Sequence, residues 1–258
     1  CDVNPNFPNH HPDPTVDENL KFLIECIKKN NFDFGVAFDG DADRLIIIDE
    51  LGNIIRSDIL MTTFLPSVIT HNHNTVIFDV KCSKALIDMI EKNNGTPLMW
   101  KTGHSLIKSK MNELNIKFGG EMSGHIFFAD DFYGFDDAIY VALRFAQLVS
   151  ETKQTVSQLI SEVPKYYNSP EIRLDCSSDS EKFKIIKRAI NYYQNQFKSN
   201  LVDGIKIYFD KGWALIRASN TQPAIVCRFE SETQATLNNY KNNILNKLKE
   251  FGDISISD

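Results

Sequence analysis

Three aspartates at alternate positions, Asp39, Asp41 and Asp43, sit between two apolar runs in the stretch from Phe34 to Glu50, FGVAFDGDADRLIIIDE. Carboxylates are hard oxygen ligands, and three of them aimed at one point repel one another unless a cation sits among them. Residues i, i+2 and i+4 of an extended segment point the same way, so the stretch reads as strand, carboxylate loop, strand, with Gly40 supplying backbone freedom. Magnesium and calcium are the ions that suit such a set. The spacing overlaps the calcium helix-loop-helix pattern as far as Glu50 at the twelfth loop position. That pattern fails at Arg44, where a sharp turn needs glycine, and in the flanks, which are Phe, Val and Ile runs of strand character. Mg2+, completed by a phosphate oxygen, is therefore the expected ion. On spacing alone two other readings stay open: a solvated Asp-Gly hairpin turn, and a metal-dependent phosphatase loop of the DxD kind.

Three further stretches carry polar groups that suit phosphate or sugar hydroxyls. Lys101, Thr102, His104 and Ser105 fall between a short apolar strand and a helical pattern, and a helix start with hydroxyls and a lysine suits phosphate or sugar; simple helix capping by Thr102 or Ser105 accounts for the same residues. Glu121, Ser123 and His125 alternate along a tip between extended segments. A carboxylate can take two sugar hydroxyls, a serine both donates and accepts, and a histidine titrates near neutrality as acid or base; a hairpin with a chance polar face is the competing reading. The run from Arg217 to Pro223, RASNTQP, joins a guanidinium, hydroxyls, an amide and free backbone N–H groups, an inventory for phosphate that a polar hairpin turn explains equally well.

The elements that must position these groups follow from periodicity. Leu20, Leu23, Ile24 and Ile27 give a helix from Asp17 to Lys29, and Leu51-Gly52-Asn53 a turn. Helices are expected at Ile59–Ile69, Ser83–Lys92, Leu106–Asn112 and Asp136–Ser150, continuing helically at Thr155–Glu162, with strands at Val76–Val80 and Leu98–Trp100 between them. This alternation argues for an α/β layer on a mainly parallel sheet, whose strand ends bind ligands. Pro164 marks a boundary, after which the rhythm changes: Ser169–Cys176 extended, Glu181–Lys198 helical, strands at Gly204–Phe209, Trp213–Ala218 and Ala224–Glu230, and a helix at Asn238–Phe251. Grouped antiparallel strands flanked by helices suggest a smaller α+β domain.

At 258 residues, 42% hydrophobic and 24% charged, the chain is long enough for about two globular domains, and its net charge of -6 argues against general nucleic-acid binding. An anionic substrate then needs local positive charge. Five cysteines, Cys1, Cys26, Cys82, Cys176 and Cys227, form no CxxC pair, which fits reduced thiols in the cytoplasm. No apolar run approaches a membrane span, and no secretion signal is visible. Adjacent His10 and His11 lack a third ligand and are expected to make loop contacts. The chain opens at Cys1 directly into a Pro/Asn/His-rich loop, so a piece of something longer is expected.

DGDADR, KTGHS, GEMSGH and RASNTQP occur in that order, and together with FPNHHPDP at residues 7 to 14 and RFE at 228 to 230 they resemble the α-D-phosphohexomutases, closest to the bacterial phosphomannomutase/phosphoglucomutase branch. Met122 resembles that branch, where glucosamine-specific relatives tend to have glutamine, and Asn4-Pro5 stands where related sequences have Asp-Gly. The resemblance implies residues 1–52 as the C-terminal part of a second domain with the metal loop, 53–165 as a third with the sugar loop, and 166–258 as a fourth with the phosphate loop. It implies Mg2+ on Asp39, Asp41 and Asp43; His125 and Arg44 as catalytic; and Lys81, Lys101, Thr102, His104, Glu121, Ser123, Arg217, Ser219, Asn220 and Thr221 as substrate-binding. The implied reaction interconverts mannose or glucose 1- and 6-phosphates through a hexose bisphosphate and a phosphoserine. Family members carry that serine in a Ser-His-Asn-Pro loop, which is absent from this sequence, so the chain is expected to be inactive alone. A non-catalytic phosphosugar-binding module and a Mg2+-dependent phosphatase using Asp39 as nucleophile remain the alternatives.

Overall fold

The apolar runs on either side of the aspartates pair with each other. In the computed structural model, which describes residues 4–256, a 3-10 turn at Asp17–Leu20 leads into α1 (Lys21–Asn30). Then β1 (Phe34–Phe38) and β2 (Leu45–Asp49) form an antiparallel hairpin in which Phe38 faces Leu45, and β3 (Ile54–Ile55) pairs with the other edge of β2. The run LIIID is apolar throughout because both faces of β2 are covered. Leu45 and Ile47 enter one core, and Ile46 and Ile48 pack with Leu20 and Ile27 of the first helical segment. The expectations about Cys1 and the first residues of the proline-rich loop fall at residues 1–3, outside the described residues.

The chain separates into two compact units, the first ending at Pro164 and the second starting at Lys165. In the first, α2 (Ser57–Val68), β4 (Thr75–Asp79), α3 (Lys84–Lys92), β5 (Thr96–Trp100), α4 (His104–Leu114), β6 (Phe118–Gly120), β7 (Ile126–Phe128), α5 (Ala138–Glu151) and the single turn α6 (Val156–Leu159) follow in order. The sheet runs β5-β4-β6-β7, parallel across the first three strands and antiparallel at β7. Parallel neighbours need crossover connections, which α3 and α4 supply. Phe64, Phe118, Phe128 and Phe145 meet edge-on or tilted at the centre of the main core. The C-terminal ends of β4 and β5 deliver Lys81 and the 101–105 loop, as strand ends do in α/β layers.

The second unit holds β8 (Tyr167–Asn168), β9 (Ile172–Cys176), α7 (Asp179–Tyr193), β10 (Ser199–Asn200), β11 (Ile205–Phe209), β12 (Gly212–Ala218), β13 (Ala224–Ser231), α8 (Gln234–Phe251) and β14 (Ile254–Ile256). Its sheet order is β10-β11-β12-β13-β9-β14, antiparallel throughout, with β8 on the far end of β13. Ile185 and Ala189 of α7 and Ile244 and Leu248 of α8 close one apolar core with Ile207, Ile216 and Phe229. The expected α/β layer on a mainly parallel sheet, made mixed by β7, and the smaller antiparallel α+β unit are both present. The differences are local. The helix expected to reach Lys198 stops at Tyr193, because Ser199 and Asn200 pair with β11; α8 starts at Gln234, where Thr233 accepts the Thr236 amide as N-cap. The described cysteines are all free, Cys26 exposed and Cys82, Cys176 and Cys227 buried. Among the described residues no helix is long and apolar enough to cross a membrane.

Candidate active site

The aspartates converge, but through a turn and not through strand alternation. Between β1 and β2 the loop folds back so that the Ala42 amide donates to the Asp39 carbonyl and the Asp39 amide to the Arg44 carbonyl. Ala42, not Gly40, takes the left-handed conformation, with φ of 58°. Gly40 matters for room, since a Cβ there would meet Pro12 Cγ at 3.3 Å. Carboxylate oxygens of Asp39, Asp41 and Asp43 lie within 4.8 Å of one another. Both oxygens of Asp39 are engaged: Oδ1 accepts from the Asp43 and Arg44 amides, each at 3.1 Å, and Oδ2 from Arg44 Nε at 2.7 Å. Burial opposes its charge, yet the Arg44 amide and guanidinium prevail and hold the carboxyl below its ordinary range. Asp43 goes the other way, pushed up by burial and by the neighbouring Asp39 and Asp41 charges against the pull of His125. Its Oδ1 is buried without a hydrogen bond, 3.3 Å from His125 Nε2 and 3.7 Å from Arg44 Nε. A buried orphan carboxylate oxygen among two further carboxylates fits a hard divalent cation. Glu50 takes no part in that set: it accepts from the Ser157 hydroxyl and amide, so the calcium-loop reading fails in geometry too.

The 121–125 tip lies directly against this loop. Leu45 donates its amide to the Gly124 carbonyl at 3.2 Å, and at Gly124, with φ of 118°, a Cβ would be crowded, standing 3.0 Å from Arg44 Cβ. The tip is itself a turn, closed by the Glu121 amide on the His125 carbonyl at 2.8 Å and the Gly124 amide on the Glu121 carbonyl at 3.1 Å. His125 Nδ1 is 3.1 Å from Glu121 Oε2 and 3.0 Å from Ser123 Oγ, so Glu121, Ser123 and His125 do come together. Burial favours the neutral imidazole, but the Glu121 hydrogen bond and the Glu121, Asp43 and Asp136 charges outweigh it and raise the His125 pKa above its ordinary value.

The strand-end loops surround this pair. Gly103 donates its amide to Glu121 Oε1 at 2.6 Å, and Gly103 itself stands at the start of α4, so neither Thr102 nor Ser105 caps that helix. Thr102 Oγ1 donates instead to Asp79 Oδ2 at 3.2 Å. Lys81 is buried with Nζ 3.9 Å from the same carboxylate, while Lys101 is exposed. His104 stacks on His125 with ring centroids 5.2 Å apart. Two residues that organise the site had no sequence signal beyond being acidic. Asp136 pairs with His104 Nδ1 and with Lys108 Nζ, both at 2.6 Å, and those partners overcome burial to keep its carboxyl low. Asp79, fully buried, accepts from Cys82 Sγ at 3.1 Å and the Met122 amide at 3.3 Å, tying the 79–83, 101–105 and 121–125 segments together. His10 and His11 are exposed loop residues; His10 Nδ1 meets the His11 carbonyl at 2.9 Å, and neither joins a ligand cluster among the described residues.

In the second unit the 217–223 segment bridges β12 and β13. Arg217 is buried, its Nε donating to Asp203 Oδ2 at 2.9 Å and its Nη2 to Asn220 Oδ1 at 3.2 Å. Ser219 Oγ lies 3.4 Å from the Thr221 amide and 3.3 Å from the Gln222 amide, long contacts that leave both donors open to a better acceptor. Lys182 of α7, also missed in sequence, reaches under the loop and donates to the Ser219 and Gln222 carbonyls.

Family models describing phosphoglucomutase/phosphomannomutase α/β/α domain II, α/β/α domain III and the C-terminal domain match residues 1–52, 56–167 and 152–247. The phosphomannomutase/phosphoglucomutase of Pseudomonas aeruginosa is 44% identical over 252 residues, covering 96% of this chain and 54% of that protein. The phosphomannomutase of Methanocaldococcus jannaschii is 35% identical over 234 residues, covering 90% of this chain and 51% of that one. A crystal structure of a phosphoglucomutase/phosphomannomutase family protein from Burkholderia thailandensis superposes with a TM-score of 0.89 at 35% identity, covering 98% of this chain and 55% of that one. The chain belongs to the α-D-phosphohexomutase family, in its phosphoglucomutase/phosphomannomutase group. It spans about half the length of the curated relatives it matches.

Proposed function

We propose that the 258 residues are the metal-, sugar- and phosphate-binding part of a cytoplasmic mutase that interconverts mannose or glucose 1- and 6-phosphates through a hexose bisphosphate. In this reading residues 1–52 carry the metal loop, 53–165 the sugar loop and 166–258 the phosphate loop. The observation that carries it is the joining of the aspartate loop to the 121–125 tip, with His125 Nε2 3.3 Å from Asp43 and Leu45 bonded to Gly124. Asp39, Asp41 and Asp43 would hold Mg2+, which supplies Lewis-acid stabilisation of charge on a phosphoryl group. Arg44 and Lys81 add fixed positive charge for phosphoryl oxygens, and Lys101, Thr102 and His104 line the approach of the sugar or its phosphate. Glu121 and Ser123 bind sugar hydroxyls, and His125, kept basic by Glu121, takes and returns the hydroxyl proton. Arg217, Ser219, Asn220 and Thr221 grip the phosphate that does not react. The resemblance assigns the phosphoryl-carrying serine to a Ser-His-Asn-Pro loop that this sequence does not contain, so the chain binds without turnover.

Calorimetry with Mg2+ and glucose 1,6-bisphosphate tests the binding half, and a coupled assay with mannose and glucose 1-phosphates the catalytic half. Metal-dependent binding, lost in Asp41→Ala and Arg217→Ala, with no interconversion is the expected result. Interconversion by the 258 residues alone would overturn the need for an outside serine. Phosphate release with labelled Asp39 would support the phosphatase reading, against which stands the engagement of both Asp39 oxygens.

A further inference from the structure

Lys182 lies in the first turn of α7 with its side chain 4% exposed, an expensive place for an ammonium group. Its three donors are all spent: on the Ser219 carbonyl at 3.0 Å, the Gln222 carbonyl at 2.9 Å and Asp179 Oδ1 at 2.6 Å. An apolar side chain could fill the same space between α7 and the loop. What only the ammonium can do is collect two carbonyls from the loop. Those carbonyls bracket Asn220 and Thr221, and drawing both to one point curls the intervening backbone. The Gln222 carbonyl also accepts the Ala224 amide at 2.8 Å, and the Ser219 amide donates to the Ala224 carbonyl at 2.8 Å, so both ends of the curl are anchored. With its carbonyls held on the α7 side, the loop keeps the Thr221 and Gln222 amides only loosely engaged by Ser219 Oγ, ready for an anion.

We propose that Lys182 is the positioning residue of the phosphate loop: it sets the 219–222 backbone in the shape that presents its amides to a phosphate, and brings a buried positive charge beneath it. The inference rests on the reading of residues 217–223 as phosphate-binding.

The test is titration of the full chain with inorganic phosphate, followed by the backbone amide resonances of Thr221 and Gln222, together with amide hydrogen exchange. Lys182→Met keeps the length and apolar stem of the side chain. It should weaken phosphate about tenfold or more, the scale of one charge-assisted interaction. It should also speed exchange at residues 219–222 while leaving β12 and β13 protected. A folded Lys182→Met protein with unchanged affinity and unchanged loop exchange overturns the proposal. If the wild-type Thr221 and Gln222 amides ignore phosphate, the phosphate-loop reading falls, and loop exchange alone then decides whether Lys182 orders the backbone. Should Lys182→Met not fold, Asp179→Ala serves: Asp179 is exposed, and its loss leaves both carbonyl bonds in place with less opposing charge. Affinity held or raised supports the proposal; a tenfold fall overturns it, because the ion pair and not the carbonyl bonds would then be shaping the loop.

Discussion

His125 is pulled in two directions. Burial disfavours the imidazolium, whereas the hydrogen bond to Glu121 and the charges of Glu121, Asp43 and Asp136 favour it, and the second set wins. A histidine raised in this way contributes stability that is fully present below its unfolded value, about 6.5, and is lost as the pH rises through the folded value. Glu121→Gln removes the main counterweight and leaves burial opposed only by the Asp43 and Asp136 charges. In the metal-free protein, an NMR titration of the His125 ring should show its midpoint, raised above the ordinary value in the wild type, move down in Glu121→Gln, and the stability gained at low pH should shrink with it. An unmoved midpoint would show that Glu121 is not the cause. Which residues have such partners was only partly legible. Glu121, Ser123 and His125 announce themselves by type and spacing in a short tip. Asp79, Asp136 and Lys182 do not, because each works through a contact with residues 23 or more positions away, and single acidic or basic residues at strand ends and helix starts look alike in sequence.

Elements explain why some readings reached the right answer by the wrong route. Convergence of Asp39, Asp41 and Asp43 was expected from strand alternation, yet the loop is a turn with Ala42 in the left-handed region, so the period of two was incidental. The flanking strands were legible, since a run buried on both faces, as Leu45 to Ile48 is, has no other use for four consecutive apolar side chains. Short pieces such as β3, β10 and β14 were not, because two or three residues carry no periodicity and their strand state is imposed by the neighbour they pair with. Gly124 is the joint between the two key loops. A Cβ there would press on Arg44 Cβ at 3.0 Å and Leu45 N at 3.1 Å, in a conformation with φ of 118° that other residues rarely adopt. Gly124→Ala should therefore cost about 1–3 kcal/mol in urea denaturation. It should also weaken Mg2+ binding measured by calorimetry, since relief of the clash parts the 121–125 tip from the aspartate loop. Loss of stability with full metal affinity would separate the two effects and sink the idea that Gly124 sets the metal loop.

At the scale of the molecule the largest core of each unit shares no residue with that of the other, one built around Phe64, Phe118 and Phe145 and the other around Ile216, Phe229 and Leu248. A core term is local: removing buried atoms costs the transfer energy of those atoms and the cavity left behind, both confined to the unit that contains them. The two tryptophans make this measurable, because Trp100 lies in the first unit and Trp213 in the second. In a Trp100→Phe background all tryptophan fluorescence comes from Trp213, which is buried with its indole N–H on Glu230 Oε1 at 2.7 Å and so reports the second unit. Phe145→Ala in that background should lose about 3–5 kcal/mol, seen by circular dichroism, while the Trp213 denaturation midpoint stays in place. Leu248→Ala, at about 2–5 kcal/mol, should move the Trp213 midpoint and leave the other transition where it was. If instead either substitution shifts both signals equally, the chain unfolds as one cooperative block, and the mutational costs in each unit would have to be read against the stability of the whole.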